Sequence, residues 1–269
     1  MHLIKTHAYG NDFLLVDERE LPAASDRVAV ARAVCQRHRG LGADGLIIFG
    51  VSGPSRARMS LLNADGSYSE VSGNGVRCLA SWMAMEGDLG PGVTIDVETD
   101  AGVKRLELLE RDGARFRFRA AMGVPEQVRM ERIDVGGKTV DAVTLRVGNP
   151  QCVVLGDLTF ERLHGLAAAL AVHPHFPAGT NVELASVETP QRVRILIWER
   201  GVGPTEASGT GACAAAVAAT EFGGAARDVE VVSPGGTQRV EWLKDGLFLT
   251  GAAEVIAVCE WRGEAPSHA

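Results

Sequence analysis

The chain has no run of lysine and arginine of the kind that follows a phosphate backbone, and its 27 basic against 34 acidic side chains leave a formal net charge of −7. Nucleic acid is therefore not an expected partner. No apolar stretch approaches the ~20 residues of a membrane span, so no membrane association is expected. The start, Met1-His2-Leu3-Ile4-Lys5, lacks the long apolar core of a secretory signal, and a cytoplasmic protein is the expectation. Cysteine is sparse: Cys35, Cys78, Cys152, Cys213 and Cys259 are odd in number, widely spaced and form no C-x-x-C pair. That pattern excludes a disulfide framework and a zinc site, and reads the thiols as buried core residues. Aromatic residues are only 5%.

What is present suits two domains. Hydrophobic residues make up 46% of 269 positions, enough for two cores of about 100–150 residues each. The 23% of charged residues argues against bulk disorder. The 32 glycines imply many tight turns, and one kind of turn occurs twice. Glu70-Val71-Ser72-Gly73-Asn74-Gly75 precedes a run of helix formers from Leu79 to Met85, and Glu206-Ala207-Ser208-Gly209-Thr210-Gly211 precedes another from Ala214 to Ala219. A polar turn at a helix N-terminus offers unpaired N–H groups and the positive end of the helix dipole to an anion. Two such turns suggest two facing half-sites gripping one small anionic molecule.

The flanking pattern repeats as well. Asn63 lies nine residues before Ser72, and Glu199 lies nine before Ser208. Each half reads strand, polar turn, strand, Ser-Gly-x-Gly, helix, meander, with the pattern restarting around Met122 to Pro125. Lys138 to Val147 and Cys152 to Leu155 read as strands flanking a four-residue turn, Gly148-Asn149-Pro150-Gln151, and the tail from Gly263 is expected to fray. Duplicated α+β halves are the economical reading.

These residues resemble the diaminopimelate epimerase family of cofactor-independent amino-acid racemases and epimerases. The likeness runs through His7-Ala8-Tyr9-Gly10-Asn11-Asp12-Phe13, Arg39-Gly40-Leu41-Gly42-Ala43-Asp44-Gly45, Asn63-Ala64-Asp65-Gly66-Ser67 and Ser72-Gly73-Asn74-Gly75-Val76-Arg77-Cys78. It continues through Gly148-Asn149-Pro150, Gly179-Thr180-Asn181-Val182-Glu183, Trp198-Glu199-Arg200-Gly201, Gly209-Thr210-Gly211-Ala212-Cys213 and Pro234-Gly235-Gly236. The resemblance implies two pseudo-symmetric domains, each a curved antiparallel sheet around a central helix. The expected boundaries are 1–120, joined by the C-terminal strand at about 254–269, and 121–253. It implies inversion of one α-carbon of LL-diaminopimelate to the meso form, for lysine and cell-wall synthesis, by two cysteines facing that carbon from opposite sides. Neither pyridoxal phosphate nor a metal is needed, and a homodimer is implied.

By the same resemblance, the backbone N–H groups of Gly73-Asn74 and Gly209-Thr210 hold the reacting carboxylate. Asn11, Asn63, Asn149, Asn181, Glu199 and Arg200 hold the distal amino-acid head, with the guanidinium fork of Arg200 suited to a carboxylate. The chain departs from the family at its centre, because both catalytic cysteine positions carry serine, Ser72 and Ser208. Cys78 and Cys213 lie inside the expected helices as core residues, and Gln151 stands where the family commonly has histidine. A glutamine hydrogen-bonds but does not shuttle protons. A serine hydroxyl needs an adjacent base, and Glu70 and Glu206, the nearest in sequence, brace the turns. Three readings follow: an epimerase of this family with slowed turnover, a diverged racemase or dehydratase of another amino acid, and a non-catalytic amino-acid-binding protein. The first is preferred, with Ser72, Ser208, Glu199 and the auxiliary Gln151 as catalytic candidates.

Overall fold

A computed structural model describes residues 1–22, 24–69 and 72–263 of the protein. Glu70 and the tail beyond Gly263, both included in the sequence expectations, lie outside the described residues. The chain divides into two compact units, Met1–Ala120 with the closing segment from Ala252, and Ala121–Gly251.

The first unit runs β1 (His2–Ala8), β2 (Asn11–Asp17), α1 (Arg27–Cys35), β3 (Gly45–Gly53), β4 (Arg56–Asn63), a short β5 (Tyr68–Ser69), α2 (Gly73–Glu86), β6 (Thr94–Thr99), β7 (Gly102–Asp112) and β8 (Arg115–Gly123). Asp26 starts α1, its carboxylate accepting from the Val28 and Ala29 N–H groups at 3.0 and 3.1 Å, which satisfies two donors that helix geometry leaves over. Val30, Ala31, Val34 and Cys35 then face Leu14, Val16, Leu46 and Ile48 in a core of their own.

The second unit begins with β9 (Glu126–Val135) and β10 (Lys138–Val147), then β11 (Asn149–Leu155). A helical stretch follows, made of α3 (Phe160–Arg162), a π turn (Leu163–Ala167) and α4 (Ala168–Ala171). Next come β12 (Asn181–Thr189), β13 (Arg192–Glu199), β14 (Gly203–Thr205), α5 (Gly209–Phe222), β15 (Asp228–Ser233), β16 (Gly236–Leu243) and β17 (Gly246–Glu260).

The two units share one wiring. β2 pairs parallel with β3, and β4 with β6; likewise β11 pairs parallel with β12, and β13 with β15. The other ladders whose register is described, such as β3 with β4 and β12 with β13, are antiparallel, so among the described residues the expected antiparallel sheet carries two parallel joints per unit. In each unit the helix after the Ser-Gly-x-Gly turn occupies the centre. Ala212 to Ala219 of α5 are buried together with side chains from β10–β13 and β15–β17, which requires a sheet curved around the helix. The alanine run makes this possible: a helix apolar on every face is buried on every face, and methyl side chains let strands approach closely. A bulky residue placed in that run would overpack the core, at a cost of roughly 1–3 kcal/mol. α2 packs likewise against β1, β2, β3, β6 and β7.

Two details differ from the sequence reading. Glu126–Val135, given no element there, forms β9, paired with β10 along its length. The turn after β10 is a single residue: Gly148, at φ +75°, reverses the chain so that Val147 pairs with Asn149, and Asn149, Pro150 and Gln151 already belong to β11. Glycine adopts that left-handed backbone without a Cβ penalty.

Candidate active site

Each Ser-Gly-x-Gly turn is a helix start with the same hydrogen bonds. Ser72 is the N-cap of α2 in an extended conformation, its Oγ accepting from the Gly75 N–H at 3.1 Å and its carbonyl from the Val76 N–H at 2.9 Å. Ser208 caps α5 in the same way, with Oγ accepting from the Gly211 N–H at 3.2 Å and the carbonyl from the Ala212 N–H at 3.0 Å. Both hydroxyls thus use a lone pair on their own helix. The first turn of each 14-residue helix also presents backbone N–H groups and the positive dipole end. The glycine in the third helical position leaves little room for a side chain. A Cβ on Gly75 would sit 3.1 Å from Ile47 Cδ1, and one on Gly211 only 2.5 Å from Glu183 Oε1.

In the first unit, Asn11 opens β2 and joins Asn74: Asn74 Nδ2 donates to Asn11 Oδ1 at 3.1 Å, while Asn11 Nδ2 donates to Asp44 Oδ2 at 2.8 Å. The buried Arg77, one helical turn on, donates to Asn74 Oδ1 and lies 6.0 Å from the Tyr9 ring centroid. Behind Asn11, Arg37 Nη2 bridges Asp12 at 2.9 Å and Asp44 at 2.7 Å, and Lys5 also donates to Asp12. Burial pushes the Asp12 carboxyl up, but Arg37 and Lys5 outweigh it and hold it below the ordinary value. Asn63, the last residue of β4, is turned into its own loop, donating to Ser67 Oγ at 2.9 Å. So Asn11 and Asn74 form one network with Asp44, while the side chain of Asn63 bonds locally.

In the second unit, Asn149, Gln151, Asn181 and Thr210 converge. Asn181 opens β12, and its Oδ1 accepts from the Arg200 backbone N–H at 2.9 Å, which fixes which way its amide faces. Gln151 is buried. In one orientation its Nε2 donates to Asn149 Oδ1 at 2.6 Å. In the reverse one its nitrogen lies 3.1 and 3.3 Å from the two carboxyl oxygens of Glu183, its oxygen accepts from Asn181 Nδ2 at 3.2 Å and Thr210 Oγ1 at 3.1 Å, and the Asn149 amide, 2.6 Å away, must turn with it to present its nitrogen. The second orientation is preferred, because the first sets two donors, Gln151 Nε2 and Asn181 Nδ2, against each other. Thr210 Oγ1 is also 3.5 Å from Ser208 Oγ. The Arg200 guanidinium donates to the Ala178 carbonyl at 3.0 Å, and Glu199 closes β13 immediately before it.

Several of these residues were quoted in the sequence motifs without a role. Asp44 anchors Asn11, Asp12 holds Asp44 by accepting from its backbone N–H at 3.1 Å, and Arg77 anchors Asn74. Glu183, beside Asn181, is wholly buried, with its carboxyl pushed up by burial and by the Glu199 charge. Only the company they keep, inside glycine-punctuated motifs, marked them in the sequence. Glu206 is exposed, with its carbonyl accepting from the Gly235 N–H at 2.9 Å. Cys78 and Cys213 are buried as expected, and burial raises the Cys78 thiol to about 12, far from a working base. Among the described residues, no group of three or more His, Cys, Asp or Glu side chains could hold a metal, and no helix is long and apolar enough to cross a membrane.

A family model described as diaminopimelate epimerase matches residues 3–128 and 143–256. The chain belongs to the diaminopimelate epimerase family. It is 40% identical to the diaminopimelate epimerase of Desulforudis audaxviator, over 97% of this chain and 99% of that protein. It is 38% identical to the one from Moorella thermoacetica, over 99% of both. Among solved structures, a hydroxyproline epimerase from Agrobacterium vitis with bound trans-4-hydroxy-L-proline superposes with a TM-score of 0.68 at 17% identity, covering 96% of this chain and 90% of that one. At that identity the match speaks for the fold alone, and the fold is the two-part, strand-dominated one that the resemblance implied.

Proposed function

We propose that the protein interconverts LL- and meso-diaminopimelate, with one half-site removing the α-proton and the other returning one, as a step towards lysine and peptidoglycan precursors. The observation that carries this is the matched pair of capped helix starts, at Ser72 and at Ser208, in a chain of this family. As the α-proton leaves, charge builds on the substrate carboxylate, and helix N-termini at Gly73-Asn74 and Gly209-Thr210 stabilise it. Asn11, Asn63, Asn149, Asn181, Glu199 and Arg200 bind the substrate's polar groups, Arg200 by pairing with the distal carboxylate and Glu199 with an ammonium. Gln151 holds the Asn149 and Asn181 amides in place. The two units are the two domains of the reaction, one per half-site, and the chain works as a cytoplasmic homodimer without cofactor.

Serine sets the rate. Each Ser Oγ already accepts an N–H bond, and a hydroxyl gives up its own proton reluctantly, so turnover is slow while binding is retained. The same observation favours a second reading, an amino-acid-binding protein without turnover. Calorimetry with meso-diaminopimelate, paired with loss of the α-proton NMR signal in deuterated water, separates them. Binding with slow exchange supports the epimerase, binding with none supports the second reading, and an absence of binding removes both.

A further inference from the structure

Glu183 is a charged residue type at a position where the first unit has an apolar one. It lies on β12 opposite Val153 of β11 and Ile197 of β13, its side chain packed under the first turn of α5 at Gly211. The equivalent contact in the first unit, beneath Gly75, is made by Ile47. A leucine or isoleucine would fill the space, so a buried carboxyl there calls for a polar reason. Its neighbour supplies one. With the Asn181 amide fixed by the Arg200 N–H, the Gln151 oxygen faces Asn181 and Thr210, and the Gln151 nitrogen must find an acceptor on its other side. The two carboxyl oxygens of Glu183, at 3.1 and 3.3 Å, are that acceptor.

We propose that Glu183 is a positioning residue for the second half-site: its buried carboxyl fixes the Gln151 amide and, through it, the orientations of Asn181, Asn149 and the Thr210 hydroxyl. Glu183 itself does not touch substrate. Without an acceptor beneath it, Gln151 can reverse, and its nitrogen then opposes Asn181 Nδ2. The titratable groups facing Glu183 are Glu199 at the end of β13, which disfavours a charge on it, and Cys152 on β11, whose own thiol is pushed up by burial and by Glu183. The carboxyl therefore serves as an acceptor for the Gln151 amide rather than as half of an ion pair.

The binding arm of the test rests on the proposed function; a spectroscopic arm does not. In the intact protein the Gln151 side-chain NH₂ pair, assigned by its loss in Gln151→Glu, is followed by ¹⁵N NMR. Glu183→Gln keeps an acceptor oxygen of the same reach, so the pair shifts but stays hydrogen-bonded, and meso-diaminopimelate affinity stays within about threefold. Glu183→Met removes the acceptor and weakens binding about tenfold, whereas in a Gln151→Ala background the same change costs less than about twofold, because contacting residues in one network are non-additive. Losses that simply add, or a Gln151 pair unmoved by Glu183→Gln, overturn the assignment. If the unaltered chain binds no diaminopimelate, the functional reading fails while the Gln151 signal still decides the role of Glu183. If Glu183→Met does not fold, the Glu183→Gln spectrum decides it in the same way.

Discussion

Replacing both serines by cysteine, Ser72→Cys with Ser208→Cys, should raise α-proton exchange by about 10⁴. An ordinary thiol has a pKa of about 8.5, and a hydroxyl lies nearer that of bulk water, about 15.7. That gap of roughly seven units raises the deprotonated fraction near neutral pH by about 10⁷. A Brønsted slope of about 0.4–0.5 gives back slightly under half of the logarithm as lost basicity, which leaves about 10⁴. This is about 5 kcal/mol of barrier at 1.36 kcal/mol per tenfold. The structure supports an intact site in the variant, since each Ser Oγ accepts from the N–H of a helix's first turn at 3.1 or 3.2 Å, and a thiolate can accept the same bond. The helix N-terminus then lowers the thiol further. The assay is the decay of the diaminopimelate α-proton signal in deuterated buffer, with affinity measured in parallel by calorimetry. A double variant that binds with unchanged affinity but exchanges less than about tenfold faster would refute the assignment of Ser72 and Ser208 to proton transfer.

The remaining predictions concern the supports of the site. Ser208→Ala removes an N-cap bond and should cost about 1 kcal/mol, seen as a melting temperature lower by about 2–4 °C; an unchanged melting curve would count against the cap. Gly211→Ala should destabilise more than Gly75→Ala, because its Cβ meets the buried Glu183 carboxyl at 2.5 Å, whereas the other meets the tip of Ile47 at 3.1 Å; equal melting shifts would contradict the packing. Asp12 is held below its ordinary pKa, so its stabilisation is present above the unfolded value and is lost as pH falls through the folded one. Asp12→Asn should therefore lower stability near neutral pH by about 1.5–3 kcal/mol, the worth of hydrogen bonds to a charged group, and converge with the unaltered protein in acid; a gap constant with pH would exclude the ion-pair account. Glu183 has the opposite sign. Its folded pKa is raised, so stability falls as pH climbs above the ordinary carboxylate value, where the unfolded chain ionises more readily than the native one. Glu183→Gln removes that slope, and its melting temperature relative to the unaltered protein should rise between acid and neutral pH.

The two capped helices and the repeat were legible because their signals are local: a serine, two glycines and a helix-forming run fix a helix start wherever they occur. Strand β9 was not, since Glu126–Val135 is largely polar and pairs only along β10, and its alternation is too faint to separate it from a connector. The parallel joints depend on which distant segments meet, and no short window records that. Glu183 shows the limit most plainly. A glutamate in an apolar strand reads as an outward-facing residue, and only the closed network of Gln151, Asn181 and Thr210 reveals why it points inward. For Asn63, the sequence motif did not reveal that its amide nitrogen bonds to Ser67 within its own loop.

The way β17 returns to the first unit has a consequence for synthesis. His2 to His7 pair with Glu254 to Glu260, so the first strand made finds one of its neighbours only when almost the whole chain has been translated. At about 5–20 residues per second, the segment that follows Ala120 takes roughly 7–30 s to emerge. Through that interval the amino-terminal unit has an open edge along β1, while Ala121–Gly251 becomes complete before the strand that closes its predecessor arrives. The half made first is the half finished last, and truncations or stalls near the carboxyl end strike the Ser72 half-site rather than the nearer Ser208 one.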